Sequence, residues 1–439
     1  MHKTNKEIAF LILAAGKGTR MKNEVPKVLH KIAGKSLIRR VLSVTKKFDT
    51  KILITILAPE MKKIAELVKK NYPKTKIIYQ EQQLGTGHAV KICLDPLKNF
   101  DGVVVTLYGD TPFITAHTIR KLAGSIDNKT AICVLGFECE KENAYGRLVL
   151  DNKKNLKKIV EVKEANLAQK KITLCNSGVM AFNGKYLQKI INKIDNNNSK
   201  GEFYLTDAIK IANNEGLLTK VVVTGNNEVI GINSQEELAI AEKIMQEKLR
   251  KKHLENGVIM TDPQTVYFSQ STKIAPGVTI EPFVVFKGKV EIGKSCHIYS
   301  FSHIEDCKIS ARSKIGPYAR IRPGTEIGED VRIGNFVEIK KSKIGNDSKI
   351  GHLSYIGDSE LATDVNIGAG TVTCNYDGVS KHKTIIGDGA FIGSNSSLIA
   401  PVKIGKGAYI GAGTTLLKDA PAKKITVNDK KQRTINIKD

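Results

Sequence analysis

A short apolar run, Phe10-Leu-Ile-Leu-Ala-Ala-Gly16, passes directly into Lys17-Gly18-Thr19-Arg20-Met21, and Pro26-Lys27 follows. Glycines at a strand exit let backbone N–H groups approach a phosphate, and Arg20 and Lys27 add positive charge for a phosphorus under attack. The third glycine of a dinucleotide fingerprint is missing, since Met21 stands there, and no GxxxxGK[ST] run occurs. Neither of those phosphate-binding motifs applies. Further on, Tyr108-Gly109-Asp110 closes the apolar run VVVTL and sets a carboxylate where open α/β sheets bind ligands. A hard oxygen at that edge suits Mg²⁺ bridging to phosphate oxygens, and a helix N-cap is the alternative use of such an Asp.

These residues need a sheet to hold them. From about Ile8 to Asn233, β-branched runs such as ILITIL, VVVTLYGD and VVVTG alternate with segments such as EMKKIAELVKKN and TIRKLAGSI. That alternation predicts an α/β domain with a largely parallel sheet. Ser234 to Asn256 has helical spacing of Leu238, Ile240, Ile244, Met245 and Leu249, with Glu236 three residues after Asn233 and Gly257 as a stop. It predicts one long linker helix.

Beyond it the period changes. Ile-Gly pairs occur with their Ile at 292, 315, 327, 333, 344, 350, 356, 367, 386, 392, 404 and 410, at gaps close to multiples of six. A six-residue period with one inward aliphatic per repeat predicts a β-helix of hexapeptide repeats, with the isoleucines stacked inside. The glycines suit the corners, through positive φ or through the lack of a side chain. The long interval from 367 to 386 holds TVTCNYDGVSKHKT and predicts a loop leaving the coil, the kind of place that carries function.

Composition narrows the class. At 439 residues the chain exceeds what one core serves, and 41% hydrophobic with 26% charged residues is ordinary for a globular protein. A net charge of +25 raises nucleic acid as a partner, but the lysines are spread along the chain, Trp is absent, and no basic run is interleaved with stacking aromatics. No nucleic-acid partner is expected. Seven scattered cysteines without a C-x-x-C pair fit a reducing compartment, the apolar run near the start is too short for a secretory leader, and no membrane span is present. The expected location is the cytoplasm.

The motif series is specific. LAAGKGTRM with PK, QxxxLGTGHA from Gln80 to Ala89, YGD, YGR from Tyr145 to Arg147, IVE from Ile159 to Glu161, NSG from Asn176 to Gly178, GEFYLTD from Gly201 to Asp207 and Gly231-Ile-Asn233 occur in that order. The chain thereby resembles the bifunctional N-acetylglucosamine-1-phosphate uridyltransferase/glucosamine-1-phosphate acetyltransferases. The resemblance implies an α/β nucleotidyltransferase domain with a Rossmann-like mixed sheet at 1–233, a linker helix at 234–256, and a left-handed parallel β-helix of hexapeptide repeats at 257–439.

It further implies that UTP and the UDP-sugar are held by Leu13, Ala14, Ala15, Gly16, Lys27, Gln80, Gly85, Thr86, Tyr108, Gly109 and Asp110, with Gly146, Glu161, Asn176 and Asn233 completing the site. Asp110 and Asn233 are the implied Mg²⁺ ligands, and Arg20 and Lys27 the groups that neutralise charge on the phosphates. The sugar 1-phosphate attacks the α-phosphorus of UTP and pyrophosphate leaves; no general base is required.

The same resemblance covers the β-helix through Arg322, Glu338, Lys340, His352, Tyr355, Asn366, the Cys374-Asn375-Tyr376-Asp377 run, Ser394 and Ala412. Acyl transfer to a sugar amine needs a base near neutrality, and histidine has the matching pKa. By the resemblance His352 is that base, Arg322, Lys340 and Tyr355 clamp the sugar phosphate, Asn366 positions the amine, Asn375 and Tyr376 meet the sugar or thioester, and Ser394 and Ala412 line the acetyl-CoA channel. The family is trimeric, acts on small molecules, and supplies peptidoglycan and lipopolysaccharide precursors. One departure stands at the tail. Asp429 takes the place of an arginine that meets the coenzyme phosphates, with Lys430, Lys431 and Arg433 following. A single-activity nucleotidyltransferase with a structural β-helix is the competing reading, and it gives no reason for His352, Lys340, Arg322 and the NYDG loop to occur together.

Overall fold

The computed structural model describes residues 6–139, 143, 145–198 and 200–429. The chain divides into two compact units, Met1–Ala241 and Glu242–Asp439.

In the first unit the sheet runs Leu218–Thr224, Thr130–Glu138, Leu174–Asn183, Val103–Tyr108, Ile8–Leu13, Thr50–Leu57, Lys76–Tyr79. Ile8–Leu13 lies parallel to both Thr50–Leu57 and Val103–Tyr108, and all six of its residues are buried. Burial on both faces explains why it reads as a continuous apolar run rather than an alternating one. Leu174–Asn183 is antiparallel to both neighbours, so the sheet is mixed. The expectation of a largely parallel sheet holds for the half that carries the glycine-rich loop. Because those strands are parallel, the loops after Leu13, Leu57 and Tyr108 leave from one edge. Ala14 donates to the Ile56 carbonyl at 3.0 Å, Gly109 to Leu13 at 2.9 Å, and Gln80 to Leu57 at 2.9 Å, which ties the three loops together.

The long helix spans Gln235–Glu255. Ser234 caps it: Ser234 Oγ accepts from the Glu237 amide at 3.1 Å while Glu237 Oε2 accepts from the Ser234 amide at 3.1 Å. Glu237, one residue later than the sequence reading placed the acidic partner, therefore closes the capping box. The division between the two units falls within this helix.

The second unit is a left-handed β-helix of three parallel sheets. Three columns of side chains fill it. One runs Ile280, Ile298, Ile315, Ile333, Ile350, Ile367, Ile392, Ile410, each in register with the next. A second runs Ile274, Ile292, Ile309, Ile327, Ile344, Leu361, Ile386, Ile404. The third includes Phe286, Ile304, Ile321, Ile339 and Ile356 and, apart from Ile356, is not followed by glycine, which is why the Ile-Gly ladder skips rungs.

Most glycines of that ladder act through their missing side chain, Gly351 excepted, where a Cβ would meet nothing within 4 Å. Among the twelve only Gly316 has positive φ; the left-handed corners fall on residues such as Phe301, Arg312, Asp330 and Asp364. A Cβ on Gly345 would lie 2.3 Å from the Ala362 carbonyl oxygen, and one on Gly393 2.5 Å from the Ala412 nitrogen. Coils stack too closely there for any side chain.

Candidate active sites

A cavity of about 390 Å³ opens at the carboxyl edge of the first unit's sheet. Leu13, Ala14, Ala15, Gly16, Lys27, Gln80, Gly85, Thr86, Tyr108 and Asp110 line it, so the two glycine-bearing loops and the strand-end carboxylate do converge. Gly18 has φ 68°, and a Cβ there would meet Lys27 Cβ at 2.6 Å. This glycine makes room for the lysine to turn into the site. Gly109 packs against Ala14, where a Cβ would sit 2.9 Å from that methyl.

Lys27 is the centre of the charged end. Its ammonium pairs with Asp110 Oδ2 and donates to Asn233 Oδ1 at 3.2 Å. The side chains of Lys27 and Asp110 are 14% and 18% exposed, so the pair is shielded enough for its charges to matter. Asn233 is held by Glu237, which accepts from its amide at 2.5 Å, and Ile232 donates to the Asp110 carbonyl at 3.0 Å. Residues 123 positions apart in sequence thus meet on one cation (Asp110 and Asn233). Asp110 is not a helix cap; Thr115 performs that role for Ala116–Gly124, accepting from Thr118.

Gln80 is buried, donating to the Gly85 carbonyl at 3.0 Å and meeting His88 Nδ1 at 3.1 Å. The GEFYLTD segment clasps the same loop: Phe203 donates to Leu84 at 2.8 Å, Gly87 to Phe203 at 2.8 Å, and Leu205 to Thr86 Oγ1 at 3.2 Å. Gly85, at φ 99°, would place a Cβ 2.7 Å from the Phe203 carbonyl. That clasp brings Glu202 and Tyr204 into the cavity wall together with Val28, Ile56, Gln83 and Ala89. Glu202 and Tyr204 lie in the GEFYLTD motif and Gln83 and Ala89 in the run from Gln80 to Ala89, but nothing in those motifs marks them as wall residues.

Gly146, Glu161 and Asn176 form a neighbouring cluster. The Asn176 amide donates to Gly146 at 2.8 Å, and a Cβ on Gly146 would lie 3.5 Å from Glu161 Oε1. Asn176 Oδ1 accepts from Gly178, whose backbone lies so close to the Tyr108 ring that a Cβ would be 2.9 Å from it. Burial, with Asp110 nearby, pushes the Tyr108 phenol well above its usual range, and desolvation, with Glu164 next, raises Glu161. Arg20 is exposed on the short turn Thr19–Met21, outside the cavity wall.

In the β-helix, Arg322 Nη1 binds Glu338 Oε1 at 2.7 Å, and Glu338 lies in register with Tyr355. Lys340 sits beside Lys381, and that second ammonium, then desolvation and Arg322, holds it below the ordinary lysine range. Like charges this close each disfavour the other's charged form. No spacing in the sequence marks Lys381; it comes from the predicted loop, which returns through Tyr376 paired with Lys381. Asn375 is buried, donates to Asp358 Oδ2 at 2.5 Å, and borders Gly357 together with the Tyr355 hydroxyl. Tyr376 is exposed, and Asp377 takes His382 Nε2 at 2.6 Å. His352 is exposed at a coil corner with Nδ1 2.5 Å from Asn335 Oδ1. Asn366 pairs with Lys349 on the next rung, and Ser394 and Ala412 follow on successive coils, each beside a glycine of the coil before. Asp429 is described, whereas Lys430, Lys431 and Arg433 lie outside the described residues.

An α/β sheet with a cavity at its carboxyl edge where a lysine, an aspartate and glycine-bearing loops converge, and a hexapeptide β-helix with its own cluster of cations and a histidine, define a two-domain transferase. Residues 10–170 match the MobA-like NTP transferase domain, and residues 306–341 and 383–418 match the bacterial transferase hexapeptide repeats. The chain is 44% identical to the bifunctional protein GlmU of Paramagnetospirillum magneticum over 402 residues, 91% of this chain and 88% of that protein. It is 44% identical to the GlmU of Bradyrhizobium sp., covering 94% and 92%, and to that of Hyphomonas neptunium, covering 99% and 94%. The chain belongs to the bifunctional GlmU family. It is an enzyme of UDP-N-acetylglucosamine synthesis, combining acetyl transfer to glucosamine 1-phosphate with uridylyl transfer to the acetylated product. Its substrates are small molecules, and among the described residues no helix is long and apolar enough to cross a membrane.

Proposed function

We propose that the two reactions run at the two clusters described above. In the first unit, UTP lies along Leu13 to Gly16, Gln80, Gly85, Thr86 and Tyr108 to Asp110, and the N-acetylated sugar meets Gly146, Glu161 and Asn176. The observation that carries this reading is the convergence of Lys27, Asp110 and Asn233 at one end of the cavity. Two hard oxygens from protein, those of the Asp110 and Asn233 side chains that meet on Lys27, fit Mg²⁺, which keeps waters and is commonly held by few protein ligands together with substrate phosphates. When bound there, Mg²⁺ supplies charge neutralisation to the triphosphate. Lys27 then donates to phosphate oxygens, and Arg20 reaches the leaving pyrophosphate from the adjacent turn. A new P–O bond forms to the sugar phosphate as the bond to pyrophosphate breaks.

In the second unit Arg322, Lys340 and Lys381 hold the phosphate of glucosamine 1-phosphate, with Tyr355 and Asn375 beside them. His352 takes a proton from the sugar amine as the nitrogen attacks the thioester carbon of acetyl-CoA. The C–N bond forms, the C–S bond breaks, and the thiol leaves with a proton. Asn366 and Tyr376 border the reacting groups, and Ser394 and Ala412 line the coenzyme path. The family's trimer suits the exposed aromatic ridge of Phe283, Phe301, Tyr318 and Phe336, stacked at 4.9 to 5.1 Å, since apolar surface of that extent is commonly covered by a subunit. Its use of UTP and acetyl-CoA supports a cytoplasmic location.

A coupled assay with glucosamine 1-phosphate, acetyl-CoA, UTP and Mg²⁺, omitting each in turn, tests the scheme. Thiol release is expected without UTP or Mg²⁺, and pyrophosphate release only with both. Thiol release unchanged in a folded His352→Ala protein refutes the assigned base.

A further inference from the structure

We propose that Asn335 is a positioning residue for acetyl transfer: its side-chain carbonyl holds the His352 imidazole in the tautomer that leaves Nε2 free to accept the proton of the sugar amine. The proposal rests on the reading of His352 as the base. Asn335 and His352 are register partners on adjacent rungs, Arg332–Asn335 and Lys349–His352, and the contact runs from Nδ1 to Oδ1 at 2.5 Å. An amide oxygen can only accept, so Nδ1 carries the hydrogen and the lone pair resides on Nε2.

The stacking of coils makes this contact possible. Gly334 and Gly351 precede the two residues, and a Cβ on Gly334 would lie 1.8 Å from the Gly351 carbonyl oxygen. The rungs therefore approach more closely at this corner than any side chain would permit. His352, which is exposed and would otherwise sample several rotamers, is tied to the coil before it. The charged and titratable groups on the surrounding strands are Lys349 on its own strand, Arg332 on the preceding rung, and Glu338, Lys340, Tyr355 and Asp358 on the adjoining face. Among the described residues Asn335 is the imidazole's hydrogen-bond partner. A neutral acceptor orients the ring without adding charge to it, in contrast to the carboxylate that performs this task in a serine-hydrolase triad.

The test is thiol release by the full chain across pH 5.5 to 9, for Asn335→Asp, Asn335→Leu and His352→Gln, with the circular dichroism spectrum and melting temperature of the same preparations reporting that the β-helix of each is folded. Asn335→Asp keeps an acceptor and adds charge, so its plateau rate is expected within a few-fold of the parent while the acidic limb of kcat/KM moves up by about one pH unit. Asn335→Leu is expected to lower kcat by roughly 10- to 100-fold with KM for glucosamine 1-phosphate changed less than about three-fold. An unmoved acidic limb in Asn335→Asp together with an unchanged kcat in Asn335→Leu overturns the positioning role. Full activity of His352→Gln would instead overturn the underlying assignment of the base, so the two failures are distinguishable.

Discussion

Replacing Gly345 by alanine adds one methyl group at a place where the β-helix has no room for it. The new Cβ would lie 2.3 Å from the Ala362 carbonyl oxygen, 2.5 Å from its carbon and 2.9 Å from the Thr363 nitrogen, all backbone atoms of the next coil. The first of these is about an ångström inside ordinary contact distance. Relief requires the coils to part, which strains the ladder bonds from Gly345 to Leu361 and from Ala362 to Ile386, at 2.9 and 2.8 Å. Overpacking costs roughly 1–3 kcal/mol and a weakened buried hydrogen bond about 1 kcal/mol more. Alanine recovers roughly 0.4–1 kcal/mol by restricting the unfolded chain. The net loss is on the order of 2–3 kcal/mol, and at about 2–4 °C per kcal/mol for a unit of this size the transition falls by roughly 4–12 °C. Gly351 provides the control, since nothing lies within 4 Å of a Cβ there. Scanning calorimetry of both variants at one protein concentration reads the difference. Equal melting temperatures for Gly345→Ala and Gly351→Ala would falsify the view that coil contact, rather than backbone conformation, demands these glycines.

Lys27→Met leaves Asp110 and Asn233 without their shared cation, and kcat/KM for pyrophosphate release is expected to fall about 10²- to 10³-fold while thiol release stays within two-fold. Loss of both activities would show a folding defect instead. Gly18→Ala clashes with Lys27 Cβ and strains a positive φ, so a rise in KM for UTP is expected; an unchanged KM would mean that Lys27 has another route into the cavity. His253 is buried against Phe268 with neither ring nitrogen hydrogen-bonded, and burial, then Lys252, pulls its pKa down to about 4. Its folded pKa lies below the unfolded value near 6.5, so the unfolded chain binds the proton first. Stability is then complete above about pH 6.5 and declines as pH falls toward 4, by on the order of 3 kcal/mol. Denaturant titrations of His253→Phe at pH 7.5 and 5 are expected to show a smaller difference than the parent.

Much of the architecture was written locally. Ile8–Leu13 and Val103–Tyr108 are read as strands because burial on both faces leaves unbroken apolar runs, and the Ile-Gly ladder declares its repeat because each coil must offer one inward aliphatic and one bare backbone. The residues picked out as motifs, Leu13 to Gly16, Gln80, Gly85, Thr86, Tyr108 and Asp110, share one cavity wall. The function of the glycines was not, since positive φ and close approach look the same in a sequence.

Local patterns alone established the two periods, residue types suited to phosphate, and the loop between Ile367 and Ile386 that leaves the coil. The tertiary structure decided what those residues touch. It set Lys27 between Asp110 and Asn233, folded Glu202 and Tyr204 into the cavity at the sheet edge, brought Lys381 beside Lys340, and laid Asn335 against His352. Propensity and periodicity report a residue's own backbone and its nearest neighbours, whereas each of these contacts joins segments 17 to 206 residues apart and depends on sheet register and coil stacking.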